Sequence, residues 1–314
     1  MPRRKSKKKK SGFKAKLFFF LLLLIAGAGY YGYLHRAEIE QKARETVAEV
    51  QERVAPATNK PAVPEPSISV SPQQTSQSVI SVKSKYDNLS YGVPGKADSI
   101  IDREGYSLGY IEYHEQPAWV TYKLTRTEAT TKAAKRGDDF REDPSVPTGS
   151  ATLADYRRSG YDRGHLAPAA DMAFSSKTMS ESFYMSNMSP QKPAFNRGCW
   201  KELEEQVRQF AINEGEIMVV TGPILPDTKT ITIGGNKVTV PTHYYKVIYD
   251  LTPPQKMIGF IMPNEGSNKS LQAFAVTVDA VENATGLNFF SLVPQPQQEQ
   301  MESTISVRDW RWKK

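Results

Sequence analysis

The chain has 314 residues and a hydrophobic fraction of 39%, enough to bury one large core or two small ones. Its formal charge is +7, but residues 1–16 hold nine Lys and Arg and no acid; subtracting these leaves −2, so the basic total is no argument for a nucleic-acid-binding face. The single cysteine, Cys199, excludes an intrachain disulfide and a Cys-rich zinc site, leaving any metal to oxygen and nitrogen ligands.

Behind the basic head, residues 17–34 run without a charge, a length that predicts one transmembrane helix. Lys and Arg ahead of it keep the N-terminus cytoplasmic, and Tyr30, Tyr31 and Tyr33 suit the far interface. The expected protein is therefore single-pass, with its main domain on the periplasmic or extracellular side. A cleaved signal peptide is the rival reading, since Ala26-Gly27-Ala28 resembles a cleavage site and would yield a secreted form. Gly27, Gly29 and Gly32 match a dinucleotide-binding glycine pattern by accident, because no strand precedes them. Residues 35–54 read as a charged helical stalk, whose thin stripe of Ile39, Ala43, Val47, Val50 and Val54 allows a homodimer. Residues 55–84 are a Pro/Ser/Gln-rich linker, and the folded domain is expected over 85–314.

Within that domain, residues 118–124, 216–221, 244–251 and 256–261 predict strands by their β-branched and aromatic content. Residues 196–213 and 271–284 carry helical periodicity. Strands surround a few helices without regular alternation, which argues for an α+β domain.

Three blocks carry chemistry. Residues 159–171 include Tyr161-Asp162-Arg163-Gly164-His165; residues 185–191 include Asn187; residues 195–204 include Asn196 and Glu204. Singly they decide nothing, since a His beside Gly is more often structural and an Asn before a helix more often an N-cap. Together they are harder to explain as packing. An extended Asp162-to-His165 segment points Arg163 and His165 to one side, placing an anion clamp beside a base, while Gly164 permits close approach of a backbone or a phosphate. Asn196 and Glu204 are two i+4 steps apart, with Trp200 between them, so both can approach one site. An amide ligand and a carboxylate acting through water suit a hard, hydrated ion such as Mg²⁺.

These blocks resemble the DNA/RNA non-specific endonuclease family, whose ββα-metal (His-Me finger) site carries an Asp-Arg-Gly-His motif. The resemblance extends from about residue 87 to the C-terminus and includes Trp119-Val-Thr-Tyr-Lys-Leu-Thr125, Val220-Thr-Gly-Pro223 and Val240-Pro-Thr-His-Tyr-Tyr-Lys246. It implies a central, mainly antiparallel sheet flanked by helices. It further implies sequence-nonspecific, metal-dependent hydrolysis of DNA and RNA to 5′-phosphate products. By the same resemblance His165 is the general base, Asn196 the direct ligand of Mg²⁺ (or Mn²⁺), Glu204 the carboxylate that positions metal-bound water, Arg163 the phosphate-binding Arg and Asn187 a supporting Asn. The chain departs from the pattern at Glu112-Tyr113-His114-Glu115-Gln116, where several members carry another Arg. Transition-state charge would then fall to Arg163 and the metal, or to Arg141 or Arg197. A local basic groove is expected around Arg163, Lys192 and Arg197. Two alternatives stand beside this reading: an inactive module that binds nucleic acid or a partner at the membrane, and a phosphodiesterase on small substrates. A bacterial envelope is the default location; mitochondrial relatives with an N-terminal anchor leave an organelle open.

Overall fold

The computed structural model describes residues 83–313, all within the unit Thr75–Lys314. The head, the apolar run at 17–34, the stalk and nearly all of the linker lie outside the described residues. The expected transmembrane helix is thus not part of the architecture below: among the described residues no helix is long and apolar enough to cross a membrane.

In chain order the elements are β1 (Ser99–Asp102), β2 (Ser107–Ile111), β3 (Gln116–Thr125), α1 (Arg126–Thr130), α2 (Leu153–Tyr156), β4 (Asp162–His165), α3 (Ser176–Glu181), β5 (Met188–Gln191) and α4 (Trp200–Glu214). There follow β6 (Glu216–Ile224), the small ribbon β7 (Thr232–Ile233) and β8 (Val238–Thr239), β9 (His243–Asp250), β10 (Lys256–Pro263), β11 (Ala275–Val276), α5 (Val278–Thr285) and α6 (Gln295–Glu302). A seven-stranded sheet in the order β1-β2-β3-β6-β9-β10-β11, antiparallel at every pairing, forms the centre. This is the α+β architecture the sequence predicts. The four predicted strands lie in it side by side as β3, β6, β9 and β10.

Those central strands read as apolar runs because the sheet is covered on both faces. On β3, Val120, Tyr122 and Leu124 enter one core and Trp119 the other; on β9, Tyr244 and Ile248 face one side while Tyr245, Val247 and Tyr249 face the opposite side. Helix α4 covers the first face through Trp200, Leu203, Val207, Phe210 and Ala211, a helical stripe. Each large side chain buried this way contributes about 1.5–3 kcal/mol. Helix α5 and the pair Phe289–Phe290 cover the second face.

The predicted helix over 271–284 divides. Leu271–Phe274 forms a 3₁₀ turn and Ala275–Val276 pairs with Gly259 and Phe260 at the sheet edge. The α-helix begins only at Val278, where Thr277 caps it by accepting from the Ala280 N–H. Edge pairing and a cap thus override the local periodicity.

Strands β4 and β5 form their own antiparallel pair beside the main sheet, with Asp162 opposite Gln191 and His165 opposite Met188. A π turn, Phe195–Cys199, links this pair to α4, so two strands and a helix follow one another as a ββα unit.

Candidate active site

Arg163 and His165 project to the same side of β4, as strand alternation predicts: both meet the ring of Phe140. The Arg163 guanidinium lies 4.2 Å from the Phe140 centroid, and the His165 ring 5.5 Å from it. Gly164 points the other way, where a Cβ would collide with the side chain of Gln191. A larger residue there would force Gln191 to shift, and it is this side chain, not a backbone or phosphate, that occupies the space. His165 is buried, and burial, reinforced by the positive charges of Arg136 and Arg163, pushes its pKa down to about 3. At neutral pH the ring is an uncharged imidazole, the form that can accept a proton.

Asn187 is buried and fully engaged. Its Oδ1 accepts from the Ala167 N–H at 2.9 Å, and its Nδ2 donates to Ala167 O and Ser182 O, each at 2.9 Å. Its own carbonyl accepts from the Leu166 N–H at 3.0 Å. It clamps the two residues that follow His165 and so holds the end of β4.

Asn196 lies in the π turn, not in a continuous helix. The turn carries a non-helical residue at Gly198, so the two i+4 steps to Glu204 are interrupted. Asn196 is instead fixed by donating Nδ2 to Asp162 Oδ2 at 2.9 Å. Arg197 also binds Asp162, at 2.8 and 2.6 Å, and these partners hold the Asp162 carboxyl below its ordinary pKa against the opposing effect of burial. The Asn196 amide oxygen has no partner among the described residues, and the Glu204 carboxylate accepts no hydrogen bond from them.

Glu204 is half-buried by surface, but the surrounding protein desolvates its carboxyl and raises its pKa; Lys246 and Arg208 oppose that rise. Lys246 stands between Tyr244 and Ile248 on the α4 side of β9, is fully buried, and has its Nζ 4.7 Å from the Trp200 ring centroid, without a hydrogen-bond partner among the described residues. Burial lowers its pKa, and the charge of Glu204 counters this. Behind them Arg208 donates to Asp171 at 2.7 Å, and Tyr122 donates to the same carboxylate at 2.8 Å.

The cations expected by sequence divide. Arg141 is engaged with Asp139 and Ser180 and stacks 4.0 Å from the Tyr184 centroid. Lys192 pairs with Glu265 at 2.9 Å, and Arg197 with Asp162. Each of the three is thus paired with a carboxylate, Lys192 and Arg197 through exposed side chains. Arg136, which the sequence reading missed, is exposed, forms no ion pair among the described residues and acts on both His165 and Glu204, tying base and carboxylate to one region. Its neighbours Lys132 and Lys135 make this loop read as an ordinary solvated charge run. Arg208 could have been found: it is one i+4 step beyond Glu204 on the same helix face. His114 is held at Thr239 Oγ1, 2.9 Å away, and His243 is exposed; neither belongs to the site. Cys199 is a buried, packed residue of the core.

The donor set suits a hard cation: a neutral amide oxygen and a carboxylate, both uncommitted, with Asp162 already saturated by Asn196 and Arg197. The arrangement as a whole offers a buried imidazole, guanidiniums on the two phenyl rings that meet it, and two uncommitted oxygen donors, Asn196 in the π turn and Glu204 on α4.

The model of the family described as DNA/RNA non-specific endonuclease matches residues 84–296. The chain is 39% identical over 213 residues to "Endonuclease G, mitochondrial" of Homo sapiens, covering 63% of this chain and 71% of that protein. It is 34% identical over 237 residues to "Nuclease 1, mitochondrial" of Schizosaccharomyces pombe, covering 69% and 74%. Among solved structures, it superposes with a TM-score of 0.62 and 35% identity on a chain of "Crystal structure of the EndoG/EndoGI complex: Mechanism of EndoG inhibition", covering 67% of this chain and 93% of that one. These relatives overturn the expected extracytoplasmic, membrane-anchored location: they are named as mitochondrial nucleases. The described residues contain no spanning helix to set against that finding.

Proposed function

The chain belongs to the DNA/RNA non-specific endonuclease family, and from that premise we propose that it hydrolyses phosphodiester bonds of DNA and RNA without sequence preference, leaving 5′-phosphates, through a catalytic body beginning near Lys85. The observation that carries this reading is the buried imidazole of His165 on β4 with Arg163 on the same side of the strand, both against the ring of Phe140.

His165 takes the proton from an attacking water; a positioned base of this kind contributes about 10²–10⁴-fold. Arg163 and Arg136 neutralise phosphate oxygens on either side of the imidazole, where charge grows as the water attacks. Asn196, through its free amide oxygen, and Glu204, through water, would hold a Mg²⁺ ion, for which Mn²⁺ can substitute. When bound, such an ion stabilises developing negative charge and supplies an acidic water to the leaving oxygen. Asn187 keeps the end of β4 in place by clamping residues 166 and 167. The groups given a role in contact with substrate address water, metal or phosphate and not a nucleobase, which supports indifference to sequence and to sugar.

The test is to incubate the full chain with supercoiled plasmid or single-stranded RNA in the presence of Mg²⁺ or Mn²⁺, with a chelated control. Cleavage of both polymers that stops on chelation is expected. Intact polymer in every lane refutes the proposal; hydrolysis of bis-nitrophenyl phosphate alone would favour the small-substrate reading, and retention of polymer without cleavage the binding-module reading.

A further inference from the structure

An imidazole that serves as a base is commonly oriented by an acceptor on its second ring nitrogen. Among the described residues His165 has none: its Nε2 is buried and meets no hydrogen-bond partner there. What holds the ring is aromatic carbon. Phe183 meets it at 4.9 Å between centroids and 88° between planes, Phe140 at 5.5 Å and 60°, and the two phenyl rings meet each other at 4.9 Å and 81°.

The same two rings carry the cations. Arg163 lies 4.2 Å from the Phe140 centroid and Arg136 5.4 Å from that of Phe183. A guanidinium over an aromatic face is attracted by the ring's negative face, the more so as it is desolvated. For Arg163 this contact matters because its Nε is buried without a hydrogen-bond partner among the described residues, none of which fixes that part of the side chain. Phe183 is fully buried among Ala169, Ala173 and Met179, which anchors this aromatic pair in the core. Phe140 is a half-buried loop residue between Asp139 and Arg141 that packs against two apolar clusters while its ring touches both the imidazole and a cation.

We propose that Phe140 and Phe183 are positioning residues for the reaction: one aromatic wall fixes the imidazole of His165 and seats Arg163 and Arg136 on either side of it, setting the spacing between base and phosphate-binding cations. The proposal rests on the reading of His165 as the base. The charged groups that act on the imidazole are Arg163 from β4 itself and Arg136 from the loop after α1; none from α3 or β5 does. Both guanidiniums oppose a charge on the ring, so a wall that holds them close also keeps the imidazole neutral.

The test compares Phe140→Leu, which removes the ring, with Phe140→Tyr, which keeps it, in the full chain. Two readouts are taken: the NMR titration of the His165 imidazole, and kcat and KM on plasmid with Mg²⁺. In the unmodified chain His165 should not titrate between about pH 5 and pH 7.5, where an ordinary histidine does. Phe140→Leu should bring its midpoint up into that range and lower kcat by about tenfold or more, as small misplacements of reacting groups do. Phe140→Tyr should restore both. A Phe140→Leu protein with the original His165 titration and kcat overturns the proposal, as does a Phe140→Tyr protein as impaired as the Leu variant. Should Phe140→Leu fail to fold, Phe140→Met removes the ring in its place. If the unmodified chain cleaves no polymer, the functional reading fails by itself, and the titration still decides whether the wall holds the imidazole.

Discussion

Arg136 shows how a single side chain can connect separate parts of a site. It stands in the loop after α1, acts on His165 and on Glu204, and is exposed, so its loss removes charge without opening a cavity. Arg136→Ala should lower kcat/KM by about 10²-fold, the usual cost of removing one preorganised charge-stabilising donor, with the melting temperature unchanged. A variant that cleaves plasmid at the original kcat/KM would place Arg136 outside the reaction. His165 and Arg163 were legible because strand alternation puts them on one side with no knowledge of the rest of the fold. Arg136 was not, because its importance depends on Phe183, a residue brought to it only by the fold. Lys246 lay between the two cases. A lysine within Tyr244-Tyr-Lys-Val-Ile-Tyr249 sits at an inward position by period two, yet only the packing of α4 shows that it faces Trp200 and Glu204.

At the scale of elements, the β4–β5 pair depends on Gly164, since a methyl group there meets the buried side chain of Gln191. Gly164→Ala should destabilise the protein by about 1–3 kcal/mol, the range for overpacking a tight interior, and denaturant unfolding measures this directly. An unchanged midpoint would mean that Gln191 moves aside at no cost. Helices α5 and α6 meet through Asp279, Glu282 and Glu302, whose carboxylate oxygens lie within 4.8 Å of one another. Burial, with the charge of Asp279, pushes Glu282 up to about 7, and burial, with the charges of Glu282 and Asp279, pushes Glu302 up to about 8. Their folded pKa values exceed the unfolded ones, so the stability they contribute is complete in acid and is lost as pH rises through 7 to 8. Glu302→Gln should therefore raise the melting temperature at pH 9 relative to the unmodified chain, with little difference at pH 5; equal shifts at both values would contradict this. The long central strands were legible because each is a continuous apolar run. The break at Thr277 and the kink at Gly198 were not: the first follows from pairing with β10, and the second interrupts a periodicity that reads as unbroken.

For the whole molecule, the family match ends at residue 296, yet the segment beyond α6 returns to the core. Trp310 is buried against Phe210 at 4.7 Å, and Trp312 packs at 5.3 Å from Phe210 and 6.2 Å from Phe260. Gln206 on α4 donates to Arg311 O at 3.2 Å and accepts from the Lys313 N–H at 2.8 Å. This tail therefore braces the outer side of the helix that carries Glu204 and Arg208. Trp310→Ala should cost about 3–5 kcal/mol, as for other large-to-small core changes, and a denaturation curve that does not move would show the tail to be dispensable. The overall α+β plan was legible from strand content and the lack of regular alternation; the tail was not, because two tryptophans in a charged stretch carry no periodicity.

The central claim is that His165 acts as the base. The most direct measurement is plasmid cleavage by His165→Ala in Mg²⁺, with and without added imidazole. The account predicts a loss of about 10²–10⁴-fold, partly restored by imidazole in proportion to its uncharged fraction as pH is varied. Cleavage by His165→Ala at the original rate would contradict it.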